Sequence, residues 1–288
     1  IKGKNFTAPG ASFSGSGASI TNFTVVNDTT ATAEVTRPYS AGEHTVTVMC
    51  GTESNTGTIS VKDCSAYTVG KIVLADETVK SKDEYTAITP TNPPVGIICG
   101  SNSYKAPQMI ALHTSGGNLR WAKNYSTGYK TKFEGIICTC SQTGNGATQT
   151  ATFTGDTDGS DNWEYICKID PDGTANAAEN YPAFHWVNTY NETYKTELNN
   201  QTFAWYMPSI AELYEVYKNR DAINESLAKI HGLNNSYADS SLDASSWYWS
   251  SSQTSRGEYY AWFVYFSDGG VVNTDKYNRF RVCCLAGF

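Results

Sequence analysis

Trp205-Tyr206-Met207-Pro208-Ser209-Ile210-Ala211-Glu212-Leu213-Tyr214-Glu215-Val216-Tyr217 is the stretch on which the fold turns. Ser209 followed three residues later by Glu212 reads as a capping box. The Ser209 hydroxyl accepts from the Glu212 amide and the Glu212 carboxylate returns to the Ser209 amide, which satisfies two amides that a helix start leaves unbonded. Ile210, Leu213, Tyr214 and Tyr217 then recur at i, i+3, i+4 and i+7, the apolar stripe of a core-facing helix. The spacing predicts a helix over 209–219. A second is expected over 221–230, with Ile223, Leu227 and Ile230 on one face and Gly232 just past its end. On the other side, 181–190 is helix-prone.

Further outward the text is strand-like. Residues 70–74, 95–99 and 109–113 precede the helices, and 260–266, 270–272 and 280–285 follow them, which makes the segment from Cys64 onward an α+β domain. Before Cys64 the grammar differs. Short β-branched runs at 20–26, 31–36, 44–50 and 56–61 are split by turn residues, with no helical period, as in a small all-β sandwich. Two domains follow, 1–63 and 64–288.

The bulk numbers narrow the function. Formal net charge is −7 over 288 residues, with no run of Lys or Arg, so nucleic acid is not an expected partner. Only 17% of residues are charged, and Ser, Thr, Asn, Gly and Tyr are plentiful, a composition of extracellular adhesins and paratopes. No apolar run is long enough to span a bilayer. Any export signal or lipid anchor is expected upstream of Ile1. The eight cysteines, among them the Cys138/Cys140 and Cys283/Cys284 pairs, sit in apolar surroundings and read as buried free thiols, with one or two disulfides left open.

Between Trp247 and Phe288 there are twelve aromatic residues and a single lysine, Lys276. Tyr and Trp give large contact area at low rotamer-entropy cost, and Ser, Gly and Asn beside them give adaptable hydrogen bonds. In 261–266 the period of two puts Trp262, Val264 and Phe266 on one face, expected to be core, and Phe263 and Tyr265 on the other, expected to be exposed.

The order of these parts, with Trp205–Leu213 opening a helix, then Trp247-Tyr248-Trp249-Ser250-Ser251-Ser252-Gln253, Ala261-Trp262, Phe266-Ser267-Asp268-Gly269 and a terminal Arg281-Val282-Cys283-Cys284-Leu285-Ala286-Gly287, resembles the C-type lectin fold in its formylglycine-generating-enzyme-like subtype. More narrowly it resembles the variable proteins of diversity-generating retroelements, over roughly 64–288. The leading segment, with Ala41-Gly42-Glu43-His44-Thr45-Val46-Thr47-Val48, resembles bacterial immunoglobulin-like repeats, which implies a spacer.

In the retroelement family a reverse-transcribed template, mutated at adenines, rewrites the 3′ end of the gene, so a fixed scaffold displays a randomised face. The resemblance implies a monomeric ligand-binding protein on a bacterial cell surface, as an outer-membrane lipoprotein, with a protein or other surface ligand. It also implies a variable region at about 247–288. Asparagine codons randomised at both adenines cannot yield Trp, Lys, Gln, Glu or Met, so Trp249, Gln253, Trp262 and Lys276 are expected to be framework. The variable, ligand-binding positions are then expected to be Arg256, Gly257, Tyr259, Tyr260, Phe263, Tyr265, Ser267, Asp268, Gly270, Asn273, Thr274, Asp275, Tyr277, Asn278 and Phe280. The alternative is a fixed-specificity adhesin or structural surface protein. The resemblance further suggests that the domain's first and last strands, 70–74 and 281–285, pair.

No catalysis and no cofactor are expected. The Glu-Pro-Asn and Trp-Asn-Asp triplets of calcium-dependent sugar lectins are absent, the four histidines lack metal-ligand spacing, and Cys283 and Cys284 have no neighbouring histidine to activate them. Asp156, Asp158 and Asp161 crowd carboxylates into one glycine-containing loop, where a turn of Asx hydrogen bonds and a calcium site are the two readings.

Overall fold

The computed structural model describes residues 12–15, 20–27, 30–35, 42–50, 53–61, 63–102, 106–143 and 150–287. The chain divides into two compact units, Ile1–Ala66 and Tyr67–Phe288. The first contains β1 (Ser12–Gly15), β2 (Ile20–Asn27), β3 (Thr30–Val35), β4 (Gly42–Cys50) and β5 (Glu53–Val61). β1, β4 and β5 form an antiparallel sheet, and β2 pairs with β3.

The second unit is mixed α and β. Its strands are β6 (Ile72–Leu74), β7 (Val79–Lys80), β8 (Pro94–Ser101), β9 (Pro107–Ile110), β10 (Leu119–Arg120), β11 (Ile137–Thr143), β12 (Thr150–Gly155), β13 (Trp247–Thr254), β14 (Tyr260–Tyr265), β15 (Gly270–Asp275), β16 (Arg279–Phe280) and β17 (Leu285–Gly287). Its helices are α1 (Thr127–Lys130), α2 (Asn162–Ile169), α3 (Pro171–Ala175), α4 (Ala177–Asn180), α5 (Pro182–Asn188), α6 (Tyr190–Thr193), α7 (Ile210–Lys218) and α8 (Arg220–Leu233). One five-stranded sheet has the order β17-β9-β8-β6-β7 and a second the order β12-β11-β13-β14-β15, with β10 and β16 as a separate pair. Among the described residues no helix is long and apolar enough to cross a membrane.

The capping box stands as its spacing predicts: Ser209 Oγ accepts from Glu212 N at 3.3 Å and Glu212 Oε2 accepts from Ser209 N at 2.8 Å. Ser209 is buried and its hydroxyl also donates to Thr157 O at 2.7 Å. Ser209→Ala is therefore expected to cost about 2 kcal/mol, above a surface cap, because the hydrogen bond to the half-buried Thr157 carbonyl is lost as well. A fall below about 0.5 kcal/mol in denaturant unfolding would contradict this.

Glu212 does more than close the box. Its buried carboxylate also accepts from Gly159 N at 2.9 Å, Gln108 Nε2 at 2.6 Å and Tyr206 Oη at 2.8 Å. Four donors from three separate places in the chain meet on one side chain. Burial raises its pKa, while the hydrogen bonds act in the opposite direction. Gly159 is held so close that a Cβ there would lie 2.5 Å from Met207 O and from Ser209 N, so no other residue fits.

The buried polar run Ser250-Ser251-Ser252-Gln253 serves the same joint. Ser252 Oγ accepts from Ile210 N at 2.9 Å, satisfying an amide that the start of α7 leaves open, and Ser251 N donates to Pro208 O at 2.8 Å. β13 thus carries hydroxyls where a strand buried on both faces would ordinarily carry valine.

Three expectations need correction. The first and last strands share a sheet without pairing: β17 pairs with β9, and β8 and β9 separate it from β6. The other edge of Leu285 is taken by reciprocal bonds with Tyr206, 2.9 Å each way, so β6 has no access to it. Second, α8 runs through Gly232 to Leu233, where Asn234 N bonds Ile230 O at 3.0 Å, so that glycine lies inside the helix rather than beyond it.

Third, the face carrying Phe263 is not open. Trp262 and Val264 belong to one buried cluster with Leu213 and Tyr217, while Phe263 belongs to a second with Trp249, Phe133 and Phe184. The period of two holds, but both faces of β14 are covered. The described cysteines are free thiols, with Cys99, Cys138, Cys283 and Cys284 buried; Phe288 and the side chain of Cys50 lie outside the described residues.

Candidate functional site

The fifteen expected contact positions do not form one patch. β14 and β15 are a hairpin in the register Tyr260↔Asp275 to Tyr265↔Gly270, and a six-residue strand spans roughly 17 Å. Ser267, Asp268 and Gly270 sit at its turn; Arg256, Gly257, Tyr259, Tyr260, Asn273, Thr274, Asp275, Tyr277 and Asn278 lie toward its other end.

At the turn, Gly269 has φ of 79° and a Cβ there would meet the Tyr217 ring at 2.2 Å. Gln142 fastens that end, donating to Gly269 O at 2.9 Å and accepting from Val271 N at 3.1 Å. Phe263 and Phe280 are buried, with ring centroids 4.7 Å apart, and offer no contact surface. Tyr265 is half-buried against the exposed Trp247, and Val272 nearby in the sheet is exposed too.

The open end gathers aromatic rings. Tyr259 and Tyr277 are exposed, and both face Tyr129 of α1, at 5.1 Å and 6.3 Å between centroids. Tyr125 continues the group, 6.4 Å from Tyr129. The residue is 76% exposed and its φ is 64°, a left-handed backbone that a bulky residue adopts only under constraint, and such residues cluster at functional sites. Burial, reinforced by the Asp275 carboxylate, pushes the Tyr129 hydroxyl pKa well up, so it stays a protonated donor at neutral pH. Beside the rings, the Arg256 guanidinium lies 4.7 Å over Tyr260 and reaches Asn273 Oδ1 at 3.4 Å.

The framework under this end is polar and buried. Lys276 is fully buried, donates from Nζ to Gly128 O and Thr131 O at 2.9 Å each, and lies 4.6 Å over Trp121 and 5.0 Å over Phe133. Burial holds its pKa well below the usual lysine value. Gln253 accepts from Phe133 N at 2.8 Å and donates to Glu258 O at 3.0 Å and Gly257 O at 3.3 Å. Lys276 and Gln253 therefore hold the two pieces of chain that bear the tyrosines.

Sequence reasoning missed Tyr125 and Tyr129, because it confined the surface to the C-terminal segment. A signal was present: Asn124-Tyr125-Ser126-Thr127-Gly128-Tyr129 repeats the Tyr/Ser/Gly/Asn chemistry found after Trp247. Trp247 and Val272 were likewise outside the expected set.

The acidic loop is built from turns. Asp156 Oδ1 accepts from Asp158 N at 3.3 Å and Asp158 Oδ1 from Ser160 N at 2.9 Å, while Asp161 is exposed at the start of α2. Among the described residues no three His, Cys, Asp or Glu side chains converge as metal ligands. Burial instead pushes the Asp156 pKa up to about 6, from the usual value of 3.8. Between those two values the native chain binds more protons than the unfolded one, so the Asp156 contribution to stability is largest in acid and is lost as pH rises through about 6. Asp156→Asn should raise stability at pH 7 by about 1–2 kcal/mol, after discounting for partial exposure, and leave it little changed at pH 4. Equal differences from wild type at the two pH values would contradict this.

No protein-family model matches the chain, and no curated protein does. Among solved structures, a fimbrial protein from Bacteroides ovatus ATCC 8483 superposes with a TM-score of 0.52 at 15% sequence identity, over 90% of this chain. The likeness is one of fold. The chain spans 59% of that protein's length.

Proposed function

We propose that this chain is a surface-displayed ligand-binding protein of adhesin type, whose contact surface is the tyrosine group Tyr125, Tyr129, Tyr259 and Tyr277 with Arg256 and Tyr260 beside it. The observation that carries the reading is the convergence of three exposed tyrosines on the part-buried Tyr129, from two distant chain segments, with centroids 5.1–6.4 Å apart. Rigid amphipathic rings in such a group are the anchors that dominate binding energy at interfaces. A surface role is compatible with the fold likeness to a fimbrial protein.

The finer reading is a C-type lectin-like domain behind an immunoglobulin-like spacer, held at the cell surface by a lipid anchor. In it the C-terminal segment is diversified by a retroelement, and Phe263 and Phe280 leave the contact set because they are buried. The chain is not an enzyme in this reading. Burial pushes the Cys283 thiol up to about 12 and the Cys284 thiol well above its ordinary value, which makes both poor nucleophiles.

Sister copies of the gene test the diversification. Substitutions are expected at 256, 259, 260 and 277, with Trp249, Gln253, Trp262 and Lys276 constant. A near-copy of the same codons differing only at adenines should lie beside a reverse transcriptase gene. For the contact surface, a panel of purified surface proteins and glycans is screened with wild type and with a Tyr129→Ser, Tyr259→Ser, Tyr277→Ser variant. Binding lost in the variant at unchanged melting temperature supports the reading; undiminished binding overturns it.

A further inference from the structure

A recess shares none of its lining with the tyrosine group. It is a cleft of about 350 Å³ between α2, α5 and the segment Trp205-Tyr206-Met207. The volume is that of a small-molecule site. Trp163 stacks on Phe184 with centroids 5.1 Å apart at 22°, and Trp205 and Met207 line it from the other segment. The walls are fixed by packing: Phe184, Trp205 and Met207 are buried, Trp163 abuts Tyr181 at 5.6 Å, and Trp205 abuts Tyr190 at 5.1 Å.

The charge is one-sided. Glu164 is the single charged residue lining the cleft. It is exposed, and no cation pairs with it among the described residues; Lys168, one turn further along α2, is exposed and forms no bridge to it. An anion is disfavoured here by that carboxylate and by the net charge of −7. A purely hydrocarbon ligand leaves the carboxylate unused. A cation sheathed in methyl groups matches both features, since its methyls pack against the aromatic lining, chiefly the part-exposed Trp163, and its charge is met by the carboxylate of Glu164 in the same lining.

We propose that this cleft binds a small alkylated ammonium cation, at a site independent of the tyrosine surface. The test is isothermal titration of the full chain with choline and with its neutral isostere 3,3-dimethyl-1-butanol, followed in parallel by tryptophan fluorescence. Saturable 1:1 binding of choline is expected, with the isostere about tenfold weaker. Glu164→Lys, on an exposed position that does not threaten folding, should abolish choline binding. Glu164→Gln should weaken it severalfold and Trp163→Ala about tenfold. The Tyr259→Ser, Tyr277→Ser variant should bind choline as wild type does, which separates failure here from failure of the adhesin reading.

Three outcomes overturn the proposal: equal affinity for choline and the isostere, no choline binding up to about 50 mM, or choline binding unchanged in Glu164→Lys. A fourth arm titrates methyl hexopyranosides. Saturable sugar binding lost in Trp163→Ala, with choline inert, would make the cleft a sugar site instead.

Discussion

Replacing Glu212 by alanine is expected to remove about 4 kcal/mol of folding stability. The carboxylate accepts from Gln108, Tyr206, Gly159 and Ser209, so its loss takes the acceptor from four buried donors at once, of which Gln108 Nε2 alone keeps a second acceptor, Tyr206 Oη at 2.6 Å. Each orphaned donor costs about 1–3 kcal/mol in isolation, and sharing one acceptor makes the sum less than additive. Glu212→Gln separates charge from geometry. The amide keeps its oxygen for the obligate donors Gly159 N and Ser209 N and turns its NH₂ toward Tyr206 and Gln108, where the Tyr206 hydroxyl can rotate to accept and the Gln108 amide must flip to do so. It should therefore lose less than the alanine, about 1–2 kcal/mol. Urea unfolding measures both, and a loss under about 1 kcal/mol for Glu212→Ala would mean that the network is not what joins α7 to β9 and the acidic loop.

Phe263→Ser should cost about 3–4 kcal/mol, while Tyr259→Ser and Tyr277→Ser together should cost less than about 1 kcal/mol. All three belong to the aromatic C-terminal segment. Phe263 is 6% exposed and packs on Trp249 and Phe280, whereas Tyr259 and Tyr277 are 37% and 41% exposed. The contrast predicts opposite behaviour in a binding assay: the paired tyrosine variant melts normally and loses ligand, the Phe263 variant fails to fold at physiological temperature. A Phe263→Ser protein with wild-type stability would put that ring back on the surface.

Why Phe263 misled is a matter of layers. An alternating strand shows which side chains share a face but not whether the second face is also covered, and the cover over Phe263 comes from Trp247, Trp249 and Phe280, rings that other strands bring across it. Local signals transferred well. The box at Ser209 and Glu212, the stripe of α7 and the start of α5 at Pro182 depend on neighbours within one or two turns, and all were legible.

The β11–β12 hairpin and α2 were not. Ile137–Thr143 and Thr150–Gly155 are strands of Thr, Ser, Cys and Gln, whose pairing partners rather than their own hydrophobicity make them strands. In the candidate site, composition pointed to the segment that carries Tyr259 and Tyr277. The composition of 124–129 carried the same chemistry, but its convergence with Tyr259 and Tyr277 could not be read, because it comes from Lys276 and Gln253 drawing a remote turn alongside.

The way those two residues grip has a bearing on how the molecule tolerates change. Gln253 and Lys276 take hold of the carbonyls of Gly257, Glu258 and Thr131, and a carbonyl is common to every amino acid. The side chains displayed on those turns are not parties to the hold. Recognition and robustness are thus written on different atoms, the first on exchangeable rings and the second on the main chain. A single step in sequence can change what the surface meets without reopening the question of whether the chain folds.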